Sequence, residues 1–153
     1  MSRKTEPIDT HTKGTTVLRG FTTITFFVDD VPKAVDWYRK LLGIEPYFAQ
    51  PSIEEPAYVE FRIGDHEDEL GLIDSRYRPS GHEAASPAGA VTYWHVDDVR
   101  ASVERLLQLG ATEIEPPTAR SEEWVTAYVA DPFGNILGLM HSPHYLEVLG
   151  KSS

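Results

Sequence analysis

Side chains that could hold a small molecule recur at every second position along three apolar stretches of this chain. In residues 57–63, Tyr58, Glu60 and Arg62 alternate with Val59, Phe61 and Ile63. A carboxylate and a guanidinium on one strand edge could fix a polar ligand group, or form a solvated ion pair worth roughly a kcal/mol or less. In 90–96, Tyr93 and His95 fall on one face, and an imidazole there could serve as an acid or a base near neutral pH. No partner carboxylate stands at a fixed spacing, so we read His95 as a hydrogen-bonded pocket histidine, with general base as the alternative. In 124–130, Trp124, Thr126 and Tyr128 alternate with Val125, Ala127 and Val129. With Phe27 and Met140, the rings of Tyr58, Tyr93, Trp124 and Tyr128 would form a stacking surface for a flat aromatic or cationic ligand, unless they pack on one another. Thr25 could help set a ligand's orientation. The run His66-Glu67-Asp68-Glu69 has the composition of a metal cluster, but neighbours in a turn point apart, so it reads as a solvated loop. His141 and His144, either side of Pro143, read as packing residues. Glu122 and Glu123 add a negative field beside Trp124 that would favour a cation.

The bulk composition narrows the partners. The chain has 153 residues, a formal charge of -10 and no cysteine. Like-charge repulsion opposes nucleic acid and anionic membrane surfaces, and thiolate and disulfide chemistry are excluded. The first twenty residues hold no apolar leader and no later run reaches the length of a membrane span, which leads us to expect a cytoplasmic protein.

The elements that must position these residues come from an internal repeat. Val28-Asp29-Asp30-Val31 recurs as Val96-Asp97-Asp98-Val99, Leu70-Gly71-Leu72 as Leu137-Gly138-Leu139, and Ala57-Tyr58-Val59 as Ala127-Tyr128-Val129, each about seventy residues on. Two copies of one unit therefore build the body. Each unit reads β-α-β-β-β. The first has strands over 21–28, 46–50, 57–63 and 69–74, with a helix capped by Asp30, carrying Pro32 in its first turn and Ala34, Trp37, Tyr38, Leu41 and Leu42 on one side, and stopped by Gly43. The second has strands over 90–96, 112–115, 124–130 and 136–141, with a helix capped by Asp98, carrying Val103, Leu106 and Leu107, and stopped by Gly110. Alternation puts Ile24, Phe26, Val28, Val59, Phe61 and Ile63 under the first helix and Thr23, Thr25, Phe27, Tyr58, Glu60 and Arg62 on the opposite face. We expect an α+β fold in which two tandem modules form a cup-shaped, curved mixed sheet with the helices outside. The domain plan is a flexible tail (1–20), then a single domain (21–150) made of module one (21–75), a linker that could act as a flap (76–89) and module two (90–142), with a C-terminal tail (143–153) carrying a short amphipathic stretch.

Paired modules of this kind, with Val-x-Asp before each helix, Tyr38-Arg39 and Leu42-Gly43 closing the first, and Asp131-Pro132-x-Gly134-Asn135 before the last strand, resemble the vicinal oxygen chelate superfamily: glyoxalase I, extradiol dioxygenases, fosfomycin-resistance enzymes and bleomycin-resistance binding proteins. The resemblance covers roughly residues 21–141. It implies a cup-shaped site, often completed by homodimerisation, and in the enzymatic branches a divalent metal held by His or Glu at four positions on the first and last strands of the modules. Here those positions carry Thr23, Val91, Gly71 and Gly138, which offer one weak hydroxyl where a divalent ion needs three or four donors. We therefore expect no metal and no cofactor, and the glycines would leave room for a large flat ligand or for close approach of a backbone. The resemblance then implies a homodimeric binding protein of the bleomycin-resistance type that sequesters an aromatic compound, neutral or cationic. The alternatives are a glyoxalase-like lyase or dioxygenase with a non-standard metal set drawn from His95, Glu60 and Glu69, an isomerase with His95 as base, or a collapsed cup whose role is dimerisation.

Overall fold

The structure, a computed structural model, describes residues 17–19, 21–78 and 91–151. All of the expected tail but residues 17–19, and residues 79–89 of the linker expected to act as a flap, lie outside the described residues. Module one contains β1 (Thr23–Val28), α1 (Val31–Leu42), β2 (Phe48–Gln50), β3 (Tyr58–Ile63) and β4 (Asp68–Asp74). Module two contains β5 (Thr92–His95), α2 (Val99–Gln108), β6 (Thr112–Ala119), β7 (Val125–Ala130) and β8 (Ile136–His141), and α3 (Pro143–Lys151) follows. Each module is a four-stranded mixed sheet, ordered β1-β4-β3-β2 and β5-β8-β7-β6, with its first strand parallel to its last. The sheets are open and curved, consistent with a cup.

Local chemistry sets the helix ends. Asp30 Oδ1 accepts the Lys33 N–H at 3.1 Å and Asp98 Oδ1 accepts that of Ala101 at 3.0 Å, each satisfying a donor the helix itself leaves free. Gly43, at φ +69°, ends α1 in the left-handed conformation that costs glycine least,. The faces follow the alternation: Val59, Phe61, Leu70 and Leu72 are buried with Ala34, Val35 and Tyr38, and Ala127, Val129, Leu137 and Leu139 with Val99, Val103 and Leu106. Fully burying one such side chain stabilises the fold by about 1.5–3 kcal/mol. Ile24, at the edge, is more exposed than the alternation implies, as is Leu107 on α2.

Two features differ from the sequence reading. β6 runs on through Pro116 and Pro117 to Ala119 instead of stopping at Glu115. It is an edge strand, where proline's missing N–H removes no ladder bond, and its pairing with β7 shifts register on both sides of Glu115,. The Asp131–Asn135 turn, expected only to feed a strand, also latches the modules together. Tyr38 donates its hydroxyl to Asp131 Oδ2 at 2.6 Å, Trp37 donates its indole N–H to the Leu109 carbonyl at 2.7 Å, and Asn135 donates its side-chain amide to the Phe27 carbonyl at 3.2 Å. Asp131 Oδ1 in turn accepts the N–H groups of Phe133 and Asn135. Burial raises the Asp131 carboxyl above its ordinary value despite these donors.

Candidate functional site

The register places the expected inner-face residues together. In module one Thr25 lies opposite Gly71, Gly71 opposite Glu60, and Glu60 opposite Phe48, so β1, β4, β3 and β2 contribute one row. Thr23, Glu69 and Arg62 form the next row, and Phe27, Ile73 and Tyr58 the row on the other side. In module two Tyr93, Gly138 and Tyr128 make the corresponding row, beside His95, Met140 and Thr126.

Glu60 is the charged centre of the first sheet. It is only 9% exposed, and its carboxylate accepts hydrogen bonds from the hydroxyls of both Tyr47 and Tyr58. Burial pushes its pKa up, but those two donors and the nearby Arg62 charge outweigh it, and the group is held below the usual carboxylate range,. The donors respond in the opposite sense. Burial and the Glu60 bond raise the Tyr58 phenol well above its ordinary value, and the Glu60 bond raises that of Tyr47. Arg62 does not pair with Glu60 in the ion pair considered from sequence. Its guanidinium lies 3.8 Å from Glu69 and 4.1 Å from the centre of the Tyr47 ring, while Glu69 accepts the Thr23 hydroxyl at 3.0 Å. Tyr47 escaped the sequence reading because β2 is too short for alternation to show its face; the signal available was an aromatic pair, Tyr47-Phe48, entering a strand.

The second sheet is built differently. The hydroxyls of Tyr93 and Tyr128 are hydrogen-bonded to each other, their rings 5.6 Å apart. That bond, with burial second, pushes the Tyr93 phenol up to about 12. Arg120 bridges Thr126, at 3.0 Å, and Glu115. Trp124 is half-buried just before β7, and its carbonyl accepts the Arg120 N–H at 2.7 Å. Phe27 carries the Arg78 guanidinium over its ring at 5.6 Å.

His95 stands apart from this surface. Its ring stacks on Tyr145 of α3 at 4.5 Å and 7°, its Nδ1 accepts the Ser142 N–H at 3.1 Å, and its Nε2 faces Asp97 at 3.3 Å. With one nitrogen already accepting a backbone proton, the ring is arranged as a packing and anchoring group. His141 Nδ1 contacts the Glu123 carbonyl at 3.0 Å, and His66 packs on Tyr145.

Three of the four positions at which the resemblance implies metal donors, Gly71, Gly138 and Thr23, are filled in a way that the sequence did not reveal. A Cβ on Gly71 would come 2.9 Å from the Tyr58 ring and hydroxyl and 3.2 Å from Thr25 Oγ1, and one on Gly138 would come 2.9 Å from the Tyr93 ring. The space expected for a flat ligand at these glycines is filled by the chain's own tyrosines. Thr23 has committed its hydroxyl to Glu69, and among the described residues no three His, Asp or Glu side chains are grouped to hold a metal ion. His95, Glu60 and Glu69 thus form no such set. The donor chemistry at these positions does not fit a divalent ion.

Residues 20–139 match the family model described as the glyoxalase/bleomycin resistance protein/dioxygenase superfamily. No curated protein matches the chain. Among solved structures, a glyoxalase-related enzyme from Fulvimarina pelagi is similar at 21% identity and a TM-score of 0.64, over 82% of this chain and 90% of that one. A superfamily member from Sphaerobacter thermophilus DSM 20745 is similar at 22% identity and 0.62, over 79% and 95%. TioX from Micromonospora sp. ML1 is similar at 16% identity and 0.58, over 80% and 98%.

Proposed function

The chain belongs to the glyoxalase/bleomycin resistance protein/dioxygenase superfamily, and from that premise we propose that it is a metal-independent binding protein of the bleomycin-resistance type, sequestering an aromatic cation against its inner sheet faces. The observation that carries this reading is the pair of glycines overlain by Tyr58 and Tyr93, where an enzyme of the family would carry metal donors. What those positions offer instead is phenol surface beside an ionised carboxylate. A flat cation would stack on Tyr93 and Tyr128, with Trp124, Phe27 and Met140 extending the apolar contact, and its charge would be met by Glu60 and Glu69. Arg62 and Thr25 complete the group proposed to border the ligand, while His95 is held aside against Tyr145. Stoichiometric capture needs no general base. Tyr93, at 40% exposed, and Phe48, at 44%, leave the inner surface partly uncovered in one chain, which supports a homodimer that shields it; a cytoplasmic location is part of the same proposal.

The test is a thermal-shift screen of chelator-treated protein against matched aromatic cations, neutral compounds and anions. A ligand at a hundredfold its Kd adds about 2.7 kcal/mol of stability, or roughly 5–10 °C for a chain of this length. A rise confined to aromatic cations supports the reading. No rise with any aromatic compound, or activity that follows a stoichiometric divalent ion, overturns it.

A further inference from the structure

We infer a second small-molecule site, on the helix side of module two, that takes an organic cation of one or two fused rings. The groove runs under α3, between α2 and the β5 edge, and encloses about 810 Å³, within the range of small-molecule pockets. It lies away from Glu60, Tyr58 and Tyr128, none of which line it, so it does not rest on the inner-face reading.

The groove is built as a site. Its floor is the buried apolar trio Leu106, Leu137 and Leu139, and Trp94 forms a wall. The Trp94 indole N–H is the only buried side-chain polar atom among the described residues without a hydrogen-bond partner. That N–H has under 1 Å² of accessible surface, so what the groove offers a ligand is the face of the indole ring. The rim is acidic: Asp65, Asp97 and Asp98 line the groove together with one guanidinium, that of Arg105. A cation placed over Trp94, the best of the aromatic faces for that purpose, would sit in the field of those carboxylates.

The cover is α3, none of whose residues is buried. Side chains tie down its first turn: Tyr145 donates to Asp65 Oδ2 at 2.6 Å and stacks on His95, which accepts the Ser142 N–H. Tyr145 also lines a neighbouring cavity of about 400 Å³ that shares Leu42, Asp65, Trp94 and His95 with the groove.

The probes are 1-naphthylmethylammonium, its neutral alcohol 1-naphthylmethanol and the anion 1-naphthylacetate, titrated into the full chain while the three tryptophan indole N–H resonances are followed by NMR. The Trp94 resonance, assigned with Trp94→Phe, should shift saturably with the cation and at least fivefold more weakly with the other two. Ala101→Phe, at an exposed α2 position lining the groove, should abolish that shift while the Trp37 and Trp124 resonances keep their positions. Asp97→Asn, which removes an exposed rim charge, should weaken the cation alone by about threefold. Glu60→Gln should leave the Trp94 curve where it was, so failure of the inner-face reading and failure of this one are separable. A Trp94 resonance that does not move, that moves equally with all three probes, or that still moves in Ala101→Phe overturns the inference.

Discussion

A methyl group added at the two inner-face glycines should have unequal effects. Neither glycine has positive φ, so removing its backbone freedom favours folding by about 0.4–1 kcal/mol at both sites. The contacts differ. At Gly71 the three atoms nearest the new Cβ belong to the side chains of Tyr58 and Thr25, whereas at Gly138 the nearest include the Thr92 carbonyl oxygen at 2.9 Å. That carbonyl belongs to β5, paired with β8, and cannot rotate away. In Gly71→Ala the half-exposed Tyr58 ring swings out and loses its bond to Glu60. Such a bond to a charged group is worth about 1.5–3 kcal/mol when buried, less here because water can replace it, so the net cost should be about 0–1 kcal/mol. In Gly138→Ala the strand itself must shift, at the roughly 1–3 kcal/mol of an overpacked site, for a net loss of about 1–2 kcal/mol and a Tm lower by roughly 2–8 °C. Urea denaturation gives both numbers. Double variants locate the cause: Tyr58→Ala should absorb the effect of Gly71→Ala, while Tyr93→Ala should relieve only part of Gly138→Ala. A Gly138→Ala protein as stable as the parent, or a Gly71→Ala protein less stable than Gly138→Ala, would refute the claim that rings and a carbonyl fill these positions.

Other substitutions probe the remaining contacts. Tyr38→Phe should lower stability at neutral pH by about 1.5–3 kcal/mol, because the buried Asp131 carboxylate loses a donor,. Asp131 has a raised folded-state pKa, so the stability it contributes is fully present below its unfolded value and is lost as pH rises through the raised one,. Since removing the Tyr38 donor raises it further, the cost of Tyr38→Phe should shrink in acid, and a cost independent of pH in urea titrations would count against the pairing. Tyr128→Phe should return the Tyr93 phenol from about 12 toward its ordinary value, seen as earlier phenolate absorbance on alkaline titration. Glu60→Gln should weaken an aromatic cation on the order of tenfold, since charges about 4 Å apart near a protein surface interact by up to about 4 kcal/mol before desolvation is subtracted; calorimetry should show a neutral analogue unaffected.

The elements and faces were legible because short-range chemistry decides them. Asp30, Asp98 and Gly43 mark helix ends through bonds to their own neighbours, and Val59 and Phe61 alternate with Tyr58 and Glu60 because a strand's side chains must. Contacts across the chain left no such mark. The partnership of Tyr38 with Asp131 spans 93 residues, and nothing in either neighbourhood announces it. The passage of β6 through two prolines could be judged only once its place at the sheet edge was known. Glycine at 71 and 138 shows that a side chain is missing, but whether the space receives a ligand or a neighbour depends on how two rings lie.

The repeat itself contains a false echo with a physical lesson. Gly71 pairs with Glu60, and its counterpart Gly138 pairs with Tyr128, so the residue equivalent to Tyr128 is Glu60, and Tyr58 corresponds to Thr126. The shared Ala-Tyr-Val string is thus offset by two positions, and the expected faces survived because an offset of two preserves strand parity. Thr25 and Tyr93, by contrast, are true counterparts, lying opposite the two glycines on the first strands. It follows that the two glycines are covered from opposite sides: Gly71 by a tyrosine from β3, Gly138 by one from β5. Each cover carries a different hydroxyl partner, a carboxylate in module one and a second phenol in module two. The two halves of the inner surface are therefore chemically unlike although their backbones repeat. A ligand spanning both would be bound in one orientation, its positive end toward Glu60 and its ring toward Tyr93 and Tyr128.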